Sequence, residues 1–374
     1  MRKGLFFSLG AVSAVSLFIV SCVKNIPQNN CSQDELVATV TTFASGLNNP
    51  RGLTFGPDGS LYVAEGGVGG TNPTAPECDQ LGYTGSNVGA RILKVAHNGE
   101  LMTVADNLPS SQTSADEGSL ISGVGDVAFL GNTLYGLLSG AGCSHGVSSG
   151  PNGVIKVHHD KSWELIANLT AWRLSHPVAN PPIDFEPDGT WYSVLAVGND
   201  LYALDPNNGE LVKITAKGEI SRVADFSASV GHIVPTAMVF HNGSFYVGNL
   251  DVFPITGNSN VYKVTLAGEI TEVATGFSTI LGIDFDKAGG MYVLENTTGN
   301  PFPTPGTGDV IRIDHNGARR AIVTGLNLPT AMAFGPDNKL YISNWGFGPP
   351  AIGGGEILKV SFSCPNDHSG HNGY

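Results

Sequence analysis

The sequence predicts an all-β chain folded as a six-bladed β-propeller. Three observations carry that expectation. A unit of apolar segments and tight turns recurs along the chain. Its first and last copies read nearly alike, LNNPRGLTFGPDGSLYVAE at Leu47–Glu65 and LNLPTAMAFGPDNKLYISNW at Leu326–Trp345. Composition agrees: 50 glycines, 22 prolines and only 14% charged residues favour tight turns over long solvated helices.

The extreme N-terminus stands apart from the repeats. Arg2 and Lys3 precede an apolar run from Leu5 to Val20, too short for comfortable membrane spanning. Ile19-Val20-Ser21-Cys22 resembles the bacterial lipobox, in which the Cys22 thiol is acylated and becomes the new N-terminus. Residues 1–21 therefore read as a lipoprotein signal peptide and 22–36 as a lipidated linker. The propeller is expected over 37–364, with 365–374 a flexible tail. An anchored protein of the bacterial envelope follows, periplasmic or on the outer membrane, held by lipid chains at about 0.8 kcal/mol per buried methylene.

Each repeat is two strand pairs. The first runs GLTF, SLYVAE, ARILKVA and ELMTVAD; the second VGDVAFL, TLYGLLS, GVIKVHH and WELIANL. WYSVLAV, DLYALD, ELVKIT and EISRVADF form a less regular third, and PTAMVF, SFYVGN, VYKVT and EITEVAT the fourth. The fifth is ILGIDFD, MYVLEN, DVIRID and ARRAIVT, while the sixth has only PTAMAF, KLYISN and EILKVSF. Its missing fourth strand is VATVTTFASGL, Val37–Leu47, which resembles EITEVATGF and ARRAIVTGL and stands just before the first repeat. The N-terminal strand is thus expected to close the ring, hiding sheet edges that an open array would expose. Asn98-Gly99, Asp58-Gly59, Asn242-Gly243 and Asn316-Gly317 sit where hairpins need positive φ. No long helix is expected.

Loop length then separates two faces. Connections between first and second, and between third and fourth, strands are short. The long segments Gly66–Gly89, Pro109–Ser122, Ser139–Asn152, Thr170–Thr190, Asn296–Gly308 and Gly346–Gly355 all emerge on the other face. Function is expected there. His97, His241 and His315 open HNG turns on the plain face, His158 and His159 end a strand toward it, and His368 and His371 lie in the tail. None reads as a site.

A formal net charge of −13 and the lack of any Lys/Arg run exclude nucleic acid. Setting Cys22 aside, four cysteines of an exported chain imply two disulfides. Antiparallel pairing of the closing strand predicts Cys31–Cys364, and equivalent loops of adjacent blades predict Cys78–Cys143. Gly142-Cys143-Ser144-His145-Gly146 matches G-x-S-x-G but lacks the strand-to-helix turn of a nucleophile elbow. Gly66-Gly67-Val68-Gly69-Gly70 lacks the helix of a phosphate cradle.

Strand ends around the channel mouth supply the candidate site: Arg51, Asp126, Tyr192, His232 and Trp345 for a ligand. Glu65, Asn249, Glu295 and Asn344, at equivalent strand ends, offer the oxygen donors that Ca²⁺ prefers. The same residue types also end strands by capping exposed backbone groups.

NNPRGLTFGPDGSLYVAEGG, GDVAF…LYGLLSG and PTAMAFGPDNKLYISNWGFG…GGGEILKV resemble the ScyD/ScyE family over about Val37 to Phe362. Its members are exported proteins related to NHL-type and strictosidine-synthase-like six-bladed propellers. The resemblance implies a propeller with no settled catalytic residues, in some members associated with the late, periplasmic steps of scytonemin, an indolic–phenolic sunscreen. The expectation is a monomeric, lipid-anchored binder of a small molecule or an envelope protein, without turnover. The alternatives are a Ca²⁺-dependent, lactonase-like hydrolase and an accessory in tailoring an aromatic metabolite.

Overall fold

Short apolar segments bounded by Gly, Asn and Asp pair as antiparallel strands because those residues supply the backbone angles that reverse the chain. The computed structural model describes residues 36–364 apart from 77, 79–81, 115–118, 300 and 348–351. Cys22, Cys31, His368, His371 and the expected signal peptide and tail lie outside the described residues.

Six antiparallel sheets follow one another along the chain. Blade 1 is built on Pro50–Phe55, Leu61–Glu65, Thr84–Val95 and Leu101–Gln112, and blade 2 on Val124–Leu130, Thr133–Leu138, Gly153–Val157 and Trp163–Asn168. Blade 3 comprises Ser193–Val197, Asp200–Asp205, Glu210–Thr215 and Ile220–Asp225; blade 4, Pro235–His241, Ser244–Asn249, Ser259–Thr265 and Ile270–Phe277. Ile280–Phe285, Met291–Glu295, Gly308–Ile313 and Arg319–Leu326 make blade 5. Blade 6 holds Ala331–Phe334, Leu340–Asn344 and Gly355–Ser363.

The outer strand of blade 6 is Val37–Leu47, with Val37 opposite Ser363 and Leu47 opposite Gly355. The first strand of blade 6 also touches that of blade 1, so the ring is closed. The core lies between neighbouring sheets. At the seam Leu47, Leu53, Val63, Leu93 and Ile357 pack together, each at most 7% exposed. Full burial of such a side chain contributes about 1.5–3 kcal/mol.

Three local features differ from the expected pattern. Strands three and four of blade 1 reach beyond the sheet as a hairpin arm, which Asn72–Pro73 and Ile121–Ser122 join, so part of the expected loops is strand. The crossovers leaving blades 2 and 3 open with short helices, Leu169–Ser175 and Phe226–Ser229. Asn168 and Asp225 cap them by accepting from the Ala171 and Ala228 N–H groups at 2.8 and 3.0 Å. The crossovers into blades 5 and 6 are tight, so the long crossovers leave blades 1 to 3, while loops after Asn249, Glu295 and Asn344 extend the same face over blades 4 to 6.

Cys78 and Cys143 are bridged, with Cα atoms 5.8 Å apart, tying the blade 1 and blade 2 loops together. Cys364 is also disulfide-bonded; its expected partner Cys31 is among the residues not described.

Candidate functional site

The first strand of every blade has one hydrogen-bonding edge turned to the ring axis, and its polar groups need partners there. Side chains supply them from blade to blade. Ser193 Oγ donates to the Thr236 carbonyl at 2.7 Å, Thr236 Oγ1 to Ile280 at 2.6 Å, and Thr330 Oγ1 to Pro50 at 2.6 Å. Asp126 accepts from the N–H of Val127 at 2.8 Å and from Val194 of blade 3 at 2.9 Å. Asp284 repeats the device, accepting from Phe285 and from Phe334 of blade 6, each at 2.7 Å. Gly52 is required beside Asp126, since a Cβ there would stand 1.9 Å from Asp126 Oδ1.

The ring encloses a cavity of about 360 Å³ lined by the first strands of all six blades. Its walls mix apolar side chains with polar backbone and hydroxyl groups, and Asp126 and Asp284 are the charged side chains among the described lining residues. Burial pushes the Asp126 carboxyl up to about 7 and Asp284 up to about 6, against backbone N–H bonds that pull both down. Neither has a cationic partner among the groups that shift it.

A bar crosses the channel on the long-loop side. The Tyr192 hydroxyl, entering blade 3, donates to the Thr330 carbonyl at the start of blade 6 at 3.0 Å, joining opposite sides of the ring. Arg51 lies against Tyr192, donates to the Ile121 carbonyl, and has the Phe347 ring 5.8 Å from its guanidinium carbon. Burial pushes the Tyr192 phenol up to about 12 and lowers Arg51. Arg51, Asp126 and Tyr192, three of the five expected ligand contacts, are thus brought together. His232 is not with them: its Nε2 is 3.6 Å from Asp184 in the blade 2–3 crossover. The Trp345 N–H donates to Asn327 at 2.7 Å, and it is Phe347 that faces Arg51.

The four expected metal ligands do not converge. Each sits at the same point of a different blade and is engaged locally. Glu65 accepts from the Asn48 N–H at 2.9 Å and pairs with Arg91. Asn249 donates to Ile233 at 2.9 Å and accepts from the Asn260 N–H at 2.6 Å. Asn344 accepts from the Asn327 N–H at 2.9 Å and donates to Glu356 at 2.8 Å. Glu295 accepts from the Ser278 N–H and faces Asp309 across the strands. Among the described residues, no three His, Cys, Asp or Glu side chains stand where they could hold one metal ion. Each of the four side chains caps backbone groups of its own crossover or strand. Glu295 and Asp309 form an acidic pair: burial raises both, and the contact with Asp309 helps push Glu295 up to about 8 while the same contact pulls Asp309 down.

The G-x-S-x-G serine is likewise structural. Ser144 Oγ donates to Asp188 at 2.7 Å, while His145 Nδ1 meets Ser111 Oγ at 2.9 Å, all in the interior. Asp284 was not among the expected site residues. Its signal was present, an acid inside the apolar strand ILGIDF, as Asp126 is inside VGDVAFL.

Solved structures share this architecture. A protein of unknown function from Bacteroides thetaiotaomicron superposes with a TM-score of 0.56 at 12% identity, covering 88% of this chain and 77% of its own. An auxiliary nutrient binding protein from the same organism gives 0.53 at 10% identity over 87% and 77%. A gluconolactonase from Xanthomonas campestris gives 0.52 at 11% identity over 87% and 90%. The fold is a six-bladed β-propeller. At such identities the likeness extends to the fold alone. No protein-family model and no curated protein sequence matches the chain.

Proposed function

We propose that this chain is an exported, lipid-anchored propeller of the ScyD/ScyE kind that binds a small molecule or an envelope protein through its long-loop face, without turnover. One observation carries the reading. Val68, Ile183, Val252, Phe253, Phe302 and Ile352 are exposed on loops of that face, Ile183 fully and Phe302 by 64%. Two of them are paired, the Phe253 and Phe302 rings lying 6.5 Å apart, and exposed apolar clusters mark contact surfaces. Arg51 beneath Phe347 adds a cation and a ring suited to an aromatic or anionic group. The anchor is compatible with this orientation. Val37, near the start of the described chain, pairs with Ser363 at the tight-turn end, on the side away from the long loops.

Native mass spectrometry of the mature protein from its own envelope tests the reading. A bound species on the wild type that is lost from Phe253→Ser/Phe302→Ser is expected. No adduct, or equal retention by both proteins, overturns it.

A second reading, a Ca²⁺-dependent hydrolase of the lactonase kind, is supported by the fold shared with the gluconolactonase and by the Glu295–Asp309 pair, which a cation would neutralise. It expects the melting temperature to rise with Ca²⁺ in the wild type and not in Glu295→Gln. Two identical flat curves remove it.

A further inference from the structure

We propose that the central channel binds a small organic cation, a primary ammonium with a short hydrocarbon part, admitted from the tight-turn face. This site is independent of the long-loop surface proposed above.

Charge comes first. Asp126 and Asp284 are the charged groups of a cavity otherwise lined by residues such as Leu53, Val127, Met238, Ile283 and Met332. Two half-buried acids with no counter-ion among the described residues repel anions and gain from a cation. Their placement is complementary. Blades 2 and 5 lie opposite each other in the ring. Phe129 and Phe285 occupy matching positions, opposite Leu134 and Met291 of the second strands. Asp126 therefore stands two residues, about 7 Å, nearer the long-loop face than Asp284. The two carboxyls address one cavity from opposite walls at successive levels.

The donor set selects the kind of cation. Each carboxyl oxygen already accepts one backbone N–H. Two such groups fall short of the six to eight oxygens that Ca²⁺ takes. An ammonium needs only a few acceptors for its three N–H donors, and a short hydrocarbon part can pack against Leu53, Met238, Ile283 and Met332.

Access follows from the two ends. The Tyr192–Thr330 bond bars the long-loop end. At the other end a second cavity, about 490 Å³, shares Phe55 and Asp284 with the channel and is lined by Pro57, Phe285, Phe334 and Pro336. Lys287 stands at its rim and donates to the Pro336 carbonyl at 3.3 Å.

Calorimetry and thermal melting with n-butylammonium at pH 8 and fixed ionic strength test this, with potassium chloride, 1-butanol and sodium butyrate as controls. Stabilisation by n-butylammonium alone is expected, with affinity at least tenfold weaker in Asp126→Asn and in Asp284→Asn. In the wild type, affinity should fall from pH 8 to pH 5 as the carboxyls take up protons, a readout that needs no variant to fold. Lys287→Glu should speed association, and Phe253→Ser/Phe302→Ser should leave ammonium binding intact. No response, an equal response to potassium, unaltered affinity in both Asp variants, or pH-independent binding overturns the site. An unchanged association rate in Lys287→Glu overturns access from the tight-turn face.

Discussion

Replacing Arg91 by alanine isolates what holds the seam of the ring. Glu65 is fully buried, while the Arg91 side chain keeps 32% of its surface exposed. The carboxylate also accepts from the N–H of Asn48, in the crossover that carries the outer strand of blade 6 into blade 1. Loss of the guanidinium strands a negative charge inside the protein. Breaking a buried pair costs about 3–5 kcal/mol, and the lower end applies here because Arg91 is partly solvated and Glu65 can take up a proton. A domain of this size unfolds with an entropy of roughly 0.7 kcal/mol/K, so a loss of about 3 kcal/mol lowers the melting temperature by about 4 °C. Burial already raises the Glu65 pKa against the pull of Arg91. Without Arg91 it climbs further, and the native state then holds a proton that the unfolded state releases near 4.5. The deficit of the variant is therefore largest above the raised native pKa and shrinks as pH falls toward 4.5. Melts followed by circular dichroism at pH 5 and pH 8 measure both effects. Equal melting temperatures would refute the argument. So would a deficit restored by Ca²⁺, because Glu65 would then be acting as a cation ligand and not as the lock of the crossover.

Two further outcomes follow from the same reasoning. Asp126, pushed from 3.8 to about 7, keeps in the native state a proton that the unfolded chain loses, so wild-type stability falls as pH rises through that window. The fall amounts to at most roughly 4 kcal/mol, less where channel water screens the charge. Asp126→Asn should flatten that decline, gaining on the wild type in urea unfolding between pH 5 and pH 8; parallel curves at the two pH values would contradict it. Cys22→Ala should release the protein from membranes, and continued partitioning with lipid in fractionation would rule out the anchor.

How far the site was legible depended on whether a residue's role is fixed by its own strand or by its neighbours. Arg51, Asp126 and Tyr192 lie near one another because their positions in the repeat fix their place on the ring. Glu65, Asn249, Glu295 and Asn344 were also placed at equivalent strand ends, but their direction was not legible. Whether such a side chain turns to the axis or to its own crossover depends on which N–H groups the crossover leaves unpaired, and the Asn48 and Asn327 amides decide that here. Asp284 escaped notice because it lies one layer below the mouth, where an acid in an apolar strand reads as an irregularity until the opposite wall is known.

The sequence by itself determined the blades, the closing strand and the two unequal faces, because apolar periodicity, turn residues and loop length are local properties that a repeat presents many times. The Cys78–Cys143 bridge followed from the same register. Only the tertiary structure decided that Tyr192 bars the channel by bonding to Thr330, 138 residues away in the chain. It also decided that Asp126 and Asp284 share one cavity, with no counter-ion among the described residues. Those facts depend on contacts between opposite blades. No local pattern encodes such contacts, since each strand is satisfied by its own neighbours and the axis is where their leftover groups meet.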